Sequence, residues 1–281
     1  MNVPYLMRGV LPVETESSIL KSSSKYLNNS KLREWLAFIA LRKNGKDFPP
    51  PAEMYEILPI IEELRDHAKI EQMFEDERKV NPKLDAWFKE GFISSFTIED
   101  FAKYAPGTLG NTFYKQMTEG NYDIQIVPFK APTTQLEFYN TRSGQTHDFE
   151  HILTGGPFNF MGELVPYWAR LTNVFKHIKN QELAGELSVL MMFGTLRYMV
   201  RTLLHYPDIW LTAVGSIQRG AHVGMGSDAI FMMKVEDGLH LPLEQAREFF
   251  GIRGVVDVDT SREGAYFTGA MSLEEYRNGK V

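Results

Sequence analysis

Hydrophobic residues recur along most of this chain at the spacing of amphipathic α-helices. In the first clear case Leu32, Trp35 and Ile39 follow one another at intervals of three and four residues, which places them on one helix face. A similar pattern extends from about residue 52 to residue 77. Pro59 lies inside it and predicts a kink or a restart, because proline cannot donate the backbone hydrogen bond of a helix interior.

Residues typical of helix caps mark several boundaries. Ser30 is placed to cap the first helix, and Thr97 with Asp100 three positions later is typical of a capping box. The run Gly155–Pro157 predicts a helix C-terminus followed by a new helix that starts with proline. Further helices are predicted at residues 82–90, 111–117, 136–154, 158–178, 182–205, 208–223 and 243–250, and one short strand at 124–129.

These elements predict a mainly α protein, a single-domain multi-helix bundle. No internal repeat, low-complexity tract or linker divides the chain. We expect an irregular N-terminal arm over residues 1–30, an all-α domain over residues 31–254 and a C-terminal tail over residues 255–281.

Composition and charge exclude several classes of function. The chain has 281 residues, no cysteine and a formal net charge of −6. Without thiols there are no disulfides and no cysteine-held zinc or iron–sulfur sites, so a metal must be bound by histidine and carboxylate side chains. The mild acidity argues against nucleic acid as the main partner, since that binding needs a basic surface. The 13 Met and 19 Phe residues suit either a core or an apolar binding surface.

The sequence predicts neither a signal peptide nor a transmembrane helix. Arg8 and Glu14 interrupt the apolar residues of the N-terminus, and the most apolar long stretch, residues 187–204, contains Arg197 and Arg201. We therefore expect a cytoplasmic protein. Peripheral contact with the inner face of a membrane stays open, because short apolar segments can insert at an interface.

One segment carries the residue types of a metal site. On a helix, His147, Asp148 and His151 lie at about 0°, 100° and 40° around the axis, so they share a face. Glu163 follows His151 after eleven residues, and a helix that folds back after the glycine break would bring it to the same cation. Glu150 lies off this face and is expected to be a solvated charge.

The residues of this segment alone leave other interpretations open. Two histidines one helical turn apart are also compatible with ordinary structural residues. A zincin has glutamate directly after its first histidine, where this chain has Asp148. The histidine–aspartate phosphohydrolases need further ligands on other helices, and a di-iron bundle needs two Glu-x-x-His pairs, which the sequence lacks.

Together with three other segments, this motif resembles the ubiquinone (coenzyme Q) biosynthesis family to which the fourth coenzyme Q assembly protein of eukaryotes belongs. The family's metal motif is matched by His-Asp-x-x-His and the later glutamate at residues 147–163. Residues 105–114 and 242–252 are similar to two further family segments, and residues 36–42 fit its early helix. The resemblance spans about residues 35–252, and Val235-Glu236 stands where the family usually has Trp-Glu.

The resemblance implies a helical protein that binds a divalent cation through His147, Asp148, His151 and Glu163 beside a long apolar cavity. It implies oxidative decarboxylation of a polyprenylated hydroxybenzoate, in which hydroxyl replaces the ring C1 carboxylate. We favour an enzyme of this kind, a metal-dependent carboxy-lyase. Expected partners are the prenylated quinone precursor, a membrane surface, other quinone biosynthesis proteins and a second copy in a homodimer, with no nucleic acid.

Two arginines and the choice of metal complete the predictions. Arg219 and Arg247 are candidates for binding an anionic head group, because guanidinium forks suit bidentate acceptors. Zinc is the default cation, although a set of two nitrogen and two oxygen ligands also accepts iron, manganese or cobalt. The alternatives to catalysis are a prenyl-lipid-binding scaffold, which would share every ligand, and a metallohydrolase, which would need no long apolar cavity.

Overall fold

The computed structural model describes residues 21–44, 52–120 and 130–279. Within these ranges the chain is mainly helical and forms a single multi-helix domain without strands, which confirms the predicted fold class. The strand predicted at residues 124–129 lies outside the described residues. The twelve α-helices of the described residues are α1 (Ser30–Leu41), α2 (Ala52–Leu64), α3 (His67–Val80), α4 (Pro82–Glu90), α5 (Leu109–Glu119), α6 (Gln135–Thr154), α7 (Leu164–His177), α8 (Gln181–His205), α9 (Trp210–Gly226), α10 (Leu243–Phe249), α11 (Ser261–Thr268) and α12 (Leu273–Asn278).

Most helix boundaries fall within a few residues of the predicted ones, and the differences come from local hydrogen bonds. The N-cap of α1 is Asn29 rather than Ser30, because the Asn29 side chain accepts from the Leu32 N–H. The alternative of a restart at Pro59 is wrong: α2 passes through the proline, and α3 starts anew where the Asp66 side chain accepts from the Lys69 N–H. The capping box of Thr97 and Asp100 is confirmed.

The largest helix–helix interface joins α7 and α9, and glycine permits its close approach. A Cβ atom on Gly220 would lie 2.3 Å from the Val165 carbonyl oxygen, and one on Gly224 would lie 2.1 Å from the Ala169 carbonyl oxygen. Both distances are far below van der Waals contact, so the two backbones could not pack this closely around any larger residue. This interface holds α7, which follows the candidate metal ligand Glu163.

Replacing Gly220 by alanine is expected to destabilise the protein, although alanine is the better helix former. The added methyl group must push α7 and α9 apart, at a cost of about 1–3 kcal/mol. Gly144→Ala is the matched control, because a Cβ at this exposed site in α6 meets no atom within 4 Å and should add up to about 1 kcal/mol. Thermal unfolding of both variants checks the prediction, and a Gly220→Ala variant as stable as the Gly144→Ala variant would contradict it.

Three sequence segments that carry the family resemblance meet in one hydrophobic cluster. The N–H groups at the start of α5 donate to the chain just before α10, from Leu109 to the Leu241 oxygen at 2.8 Å and from Gly110 to the Leu239 oxygen at 2.9 Å. Side chains from α5, α6 and α10 then pack together beneath these bonds. The segments thus support one another physically, although more than a hundred residues separate the first from the last.

Helix α8 is the one described helix that is long and apolar enough to span a membrane by length and composition. Half of its most apolar window is buried inside the protein, and its arginines Arg197 and Arg201 are both buried. Arg201 donates to the Ile39 oxygen at 2.9 Å and to the Asn44 side chain at 2.8 Å. These contacts are those of a core helix that anchors the end of α1.

The predicted C-terminal tail contains α11 and α12, which pack on the rest of the fold. Tyr266, Phe267 and Tyr276 are buried in a cluster with Tyr198 of α8. The side-chain amide of Asn44 donates to the Phe267 oxygen at 2.7 Å, which ties the C-terminal helices to the segment after α1. The predicted division into an arm, a domain and a tail stays a prediction.

Candidate metal centre

The candidate centre begins with the last turns of α6, which is capped at both ends. Thr134 accepts from the Glu137 N–H at the N-terminus, and Gly155 ends the helix with a φ of 79° in the left-handed region that favours glycine. On this helix His147 and His151 stand one turn apart, with ring centroids 5.0 Å apart and ring planes at 81°. The predicted pairing of the two histidines on one face is therefore present.

Glu163 closes the cluster from the start of α7. The predicted helix from Phe158 does not form there, because the Asn159 side chain accepts from the N–H groups of Met161 and Gly162 and holds a turn before Leu164. This turn brings the Glu163 carboxylate oxygens to 3.4 Å from the Nε2 atoms of both His147 and His151.

The structure thus brings together three of the four predicted ligands. One potential ligand atom from each of His147, His151 and Glu163 lies within 4.8 Å of the others, and Asp148 is outside this cluster. The Asp148 carboxylate is still near enough to favour protonation of His147. In this structure Asp148 is therefore a neighbour of the cluster.

His151 is fixed in the orientation that a metal ligand needs. Its Nδ1 donates to the Gly156 carbonyl oxygen at 2.9 Å, and because a carbonyl only accepts, Nδ1 carries the proton. The ring stacks on Phe158 with centroids 4.7 Å apart, and the side chain is 2% exposed. In the neutral ring, Nε2 then carries the free lone pair, and this atom faces Glu163.

The electrostatics of the cluster favour a cation between the three side chains. The Oε2 atom of Glu163 is buried and accepts no hydrogen bond, which is rare for a carboxylate oxygen. Burial raises the pKa of Glu163, but the two imidazoles outweigh it and hold that pKa well below its usual range. Burial lowers the pKa of His147, but the Glu163 carboxylate prevails and raises it to about 9. Two imidazole nitrogens and a buried carboxylate oxygen fit a divalent cation once the proton on His147 has left.

A buried ion pair supports the histidines from within the protein. Glu150 is 1% exposed rather than solvated, and its carboxylate is bound by the Arg170 guanidinium through Nε at 2.9 Å and through Nη2. Thr146 adds a hydroxyl bond to Glu150 at 3.1 Å. Burial opposes and the Glu150 carboxylate promotes the charged form of Arg170, so that its pKa is raised. The pair joins α6 to α7 next to the cluster.

The two predicted head-group arginines have different surroundings. Arg247 is buried, and its five N–H donors are committed to the Ile152 and Leu153 oxygens at the end of α6 and to Glu244 and Asp257. Arg219 has one described partner, Ser216 at 3.0 Å, and burial lowers its pKa. Arg247 therefore fixes the end of the histidine helix, whereas Arg219 keeps donors for a ligand.

An apolar groove of about 410 Å³ lies between α1, α7 and α8. Two of its lining residues, Leu171 and Phe175, lie on α7 after Glu163 and Tyr167, at intervals of four residues along the sequence. The groove is lined chiefly by apolar side chains, namely Leu27, Leu36, Leu171, Phe175, Val189, Met192, Phe193 and Leu196. Met192 and Phe193 of α8 thus face this groove, whereas Tyr198 of the same helix is packed in the core.

Sequence reasoning missed Phe158, Arg170 and Tyr167, all of which lie around the cluster. The ring of Tyr167 is 5.8 Å from the ring of His147, and burial together with the Glu163 carboxylate raises its pKa well above the ordinary value. Its position one turn after Glu163 is a signal that was present in the sequence. The positions of Phe158 and Arg170 depend on the turn before α7, for which the sequence carries no comparable pattern.

Fold and cluster together define a helical protein with a candidate histidine–carboxylate metal centre. The fold is similar to the crystal structure of a protein from Nostoc punctiforme PCC 73102 that is provisionally named a ubiquinone biosynthesis protein. The TM-score is 0.54 at 22% sequence identity, and the match covers 78% of this chain and 93% of that one. At this identity the likeness concerns the fold. No family model and no curated protein matches the chain.

Proposed function

We propose that this protein binds a divalent cation through His147, His151 and Glu163 and acts in ubiquinone biosynthesis. The observation that carries the proposal is the position of the Glu163 carboxylate, which has a buried Oε2 atom and lies 3.4 Å from the Nε2 atoms of both imidazoles. Asp148 is proposed as a further oxygen ligand, supplied from the same helix face. Zinc is the proposed cation, with iron, manganese and cobalt as candidates of the same donor set.

The proposed reaction is the oxidative decarboxylation of a polyprenylated hydroxybenzoate at ring C1. It breaks the bond between the ring and the carboxylate and forms a ring–hydroxyl bond, which requires a two-electron oxidant. With dioxygen as the oxidant, dioxygen and water are consumed and carbon dioxide and hydrogen peroxide are released. The cation would supply a Lewis acid for the carboxylate and a neighbouring phenol oxygen. The sequence motif and the fold of the Nostoc punctiforme protein support this pathway.

The groove between α1, α7 and α8 is the proposed site of the prenyl tail. From Glu163 to Phe175 the helix rises over twelve residues, or about 18 Å. A head group at the cluster could therefore extend an apolar tail along Tyr167 and Leu171 into the groove. The small polar share of this lining suits a hydrocarbon chain, whose burial is favourable in proportion to its apolar area.

Peripheral membrane contact is proposed around the connection between α8 and α9. Leu203, Leu204 and Leu211 are among the exposed large hydrophobic residues there, and Leu211 is 81% exposed. Such side chains can insert into the interface of a bilayer without a spanning helix. The homodimer and the association with other quinone biosynthesis proteins stay predictions.

Turnover of a defined substrate tests the proposed function. The full chain is loaded with each candidate cation and given a prenylated methoxy-hydroxybenzoate under air, and carbon dioxide and the hydroxylated product are measured by mass spectrometry. Release of both by the loaded protein and not by the metal-free protein supports the enzyme. Binding of the prenylated compound without turnover would favour the scaffold, and hydrolysis of an ester or phosphate would favour the metallohydrolase.

Cation affinity is expected to rise with pH up to about 9. In the metal-free protein the raised pKa of His147 means that a proton occupies this imidazole at neutral pH and must leave before Nε2 can bind a cation. Each pH unit below about 9 should therefore weaken binding by up to about tenfold. The stability of the metal-free protein depends on pH in the opposite direction. Protonated His147 makes its full contribution to stability below about pH 6.5, and this contribution is lost as the pH rises through 9.

Competition with a chelator between pH 6.5 and 9.5 measures this dependence. The His147→Ala variant is the control, because it lacks the titrating imidazole and should bind more weakly with a flatter pH profile. A wild-type affinity that does not change with pH would contradict the prediction.

A further inference from the structure

Tyr167 presents a phenol beside the candidate metal centre, one helical turn after Glu163. Its N–H donates to the Glu163 carbonyl oxygen at 3.2 Å, and its ring lies 5.8 Å from that of His147. The cluster itself is not closed off, since the side chains of His147 and Glu163 are 29% and 25% exposed. The side chains of His147, Glu163 and Tyr167 are thus all partly accessible to a small ligand.

Three other tyrosines inside the fold have hydroxyls that are hydrogen-bonded or sealed. Tyr206 accepts from the Asn44 N–H, and the Tyr276 hydroxyl donates to Glu263. The Tyr139 hydroxyl has no partner but is sealed within the core. Among the described residues the Tyr167 hydroxyl has no hydrogen-bond partner either, yet it is not among the sealed atoms, and its residue is only partly buried.

A phenol in this position is a hydrogen-bond donor at neutral pH, because tyrosine ordinarily ionises near pH 10. Tyr167 also lies one helical turn before Leu171, which lines the apolar groove. A ligand that is bound at the cluster and extends along α7 towards this groove would lie beside the phenol. Donation to an anionic oxygen is the strong form of the bond that a phenol can make.

We propose that the Tyr167 hydroxyl donates a hydrogen bond to an anionic oxygen of an aromatic acid bound at the cluster. The proposal rests on the proposed function, since it requires a cation at His147, His151 and Glu163. It assigns Tyr167 to ligand binding rather than to cation binding. The ring lies 5.8 Å from that of His147, and the hydroxyl would bind a carboxylate or phenolate oxygen of the ligand.

Salicylate binding to the cation-loaded full chain tests the proposal, because salicylate has a carboxylate and a neighbouring phenol but no prenyl tail. The Tyr167→Phe variant keeps the ring and should bind salicylate about tenfold more weakly or worse. Its affinity for the cation alone should stay within about twofold of the wild type. Tyr139→Phe is the matched control, since it removes an unpartnered hydroxyl from α6 outside the cluster.

Each other outcome overturns the proposal in a distinguishable way. Equal salicylate binding by wild type and Tyr167→Phe would make the residue a packing residue and leave the proposed function intact. An equal loss of cation and salicylate affinity would mean that the hydroxyl acts through Glu163 on the cation and not on the bound acid. A wild type that binds the cation but no salicylate would exclude this ligand class, and one that binds no cation would overturn the proposed function as well. Thermal unfolding verifies that both variants are folded.

Discussion

Replacement of His151 by alanine is expected to remove cation binding, with a loss of affinity greater than about 100-fold. His151 supplies the one imidazole whose proton is fixed on Nδ1 by the Gly156 oxygen, so no rearrangement is needed before Nε2 binds. Removal of the ring also leaves Glu163 with a single imidazole neighbour. The remaining two side chains are too few for a tightly held divalent cation.

Cation content per chain and affinity by competition measure this effect. His147→Ala should also weaken cation binding, and its partly exposed side chain makes a folding defect a smaller concern. His240→Ala is the control, because His240 is exposed on the surface. Asp148→Asn tests the remaining predicted ligand: a loss beyond about tenfold would make Asp148 a direct ligand, and an unchanged affinity would exclude it. Full cation content in both histidine variants would refute the centre.

Replacement of Glu150 by glutamine is expected to destabilise the protein by about 3–5 kcal/mol, because it leaves the buried Arg170 guanidinium without its counter-charge. For a chain of this size the melting temperature should fall by about 6–20 °C. Arg170 is held between Glu150, Thr146 and the Ser143 oxygen, so it cannot turn towards water without breaking the contact between α6 and α7.

A double variant separates the lost pair from lost packing. Glu150→Leu combined with Arg170→Met removes both charges at similar volume and should recover most of the stability of the wild type. Asp76→Asn is the control, since it breaks an exposed pair with Lys79 and should leave the melting temperature unchanged. If Glu150→Gln melts as the wild type does, the pair does not stabilise the fold.

Helical periodicity and caps were sufficient to predict the class of fold and most of its helices. The helical spacing of hydrophobic residues along α1, α4, α6 and α8 is a local property of the sequence. It can therefore be recognised without knowledge of the helices that pack against them. The turn before α7 could not be predicted in the same way. The Asn159 side chain accepts there from the N–H groups of Met161 and Gly162, and this turn replaces the first turn of the predicted helix. The spacing of hydrophobic residues does not indicate such side-chain hydrogen bonds.

In the candidate site, too, the features set within one helix could be predicted, whereas those set by contacts between helices could not. The position of His147 and His151 on one face follows from the helix alone, and the structure agrees with it. The burial of Glu150 was missed because its partner Arg170 is twenty residues away on another helix. Arg247 was predicted for a ligand, and the structure instead shows its donors committed to α6 and Asp257, a role that depends on the packing of α10.

The packing of the last two helices bears on where the protein can be shortened. Met161 and Leu164, which flank Glu163, are fully buried in the cluster that Tyr266, Phe267 and Tyr276 complete. A chain ending near Gly254, just after the last segment of the family pattern, would expose this aromatic surface and invite self-association. We therefore expect the minimal folding unit to extend at least to Tyr276, so that the far end of the chain helps to position Glu163, a candidate metal ligand more than a hundred residues before it.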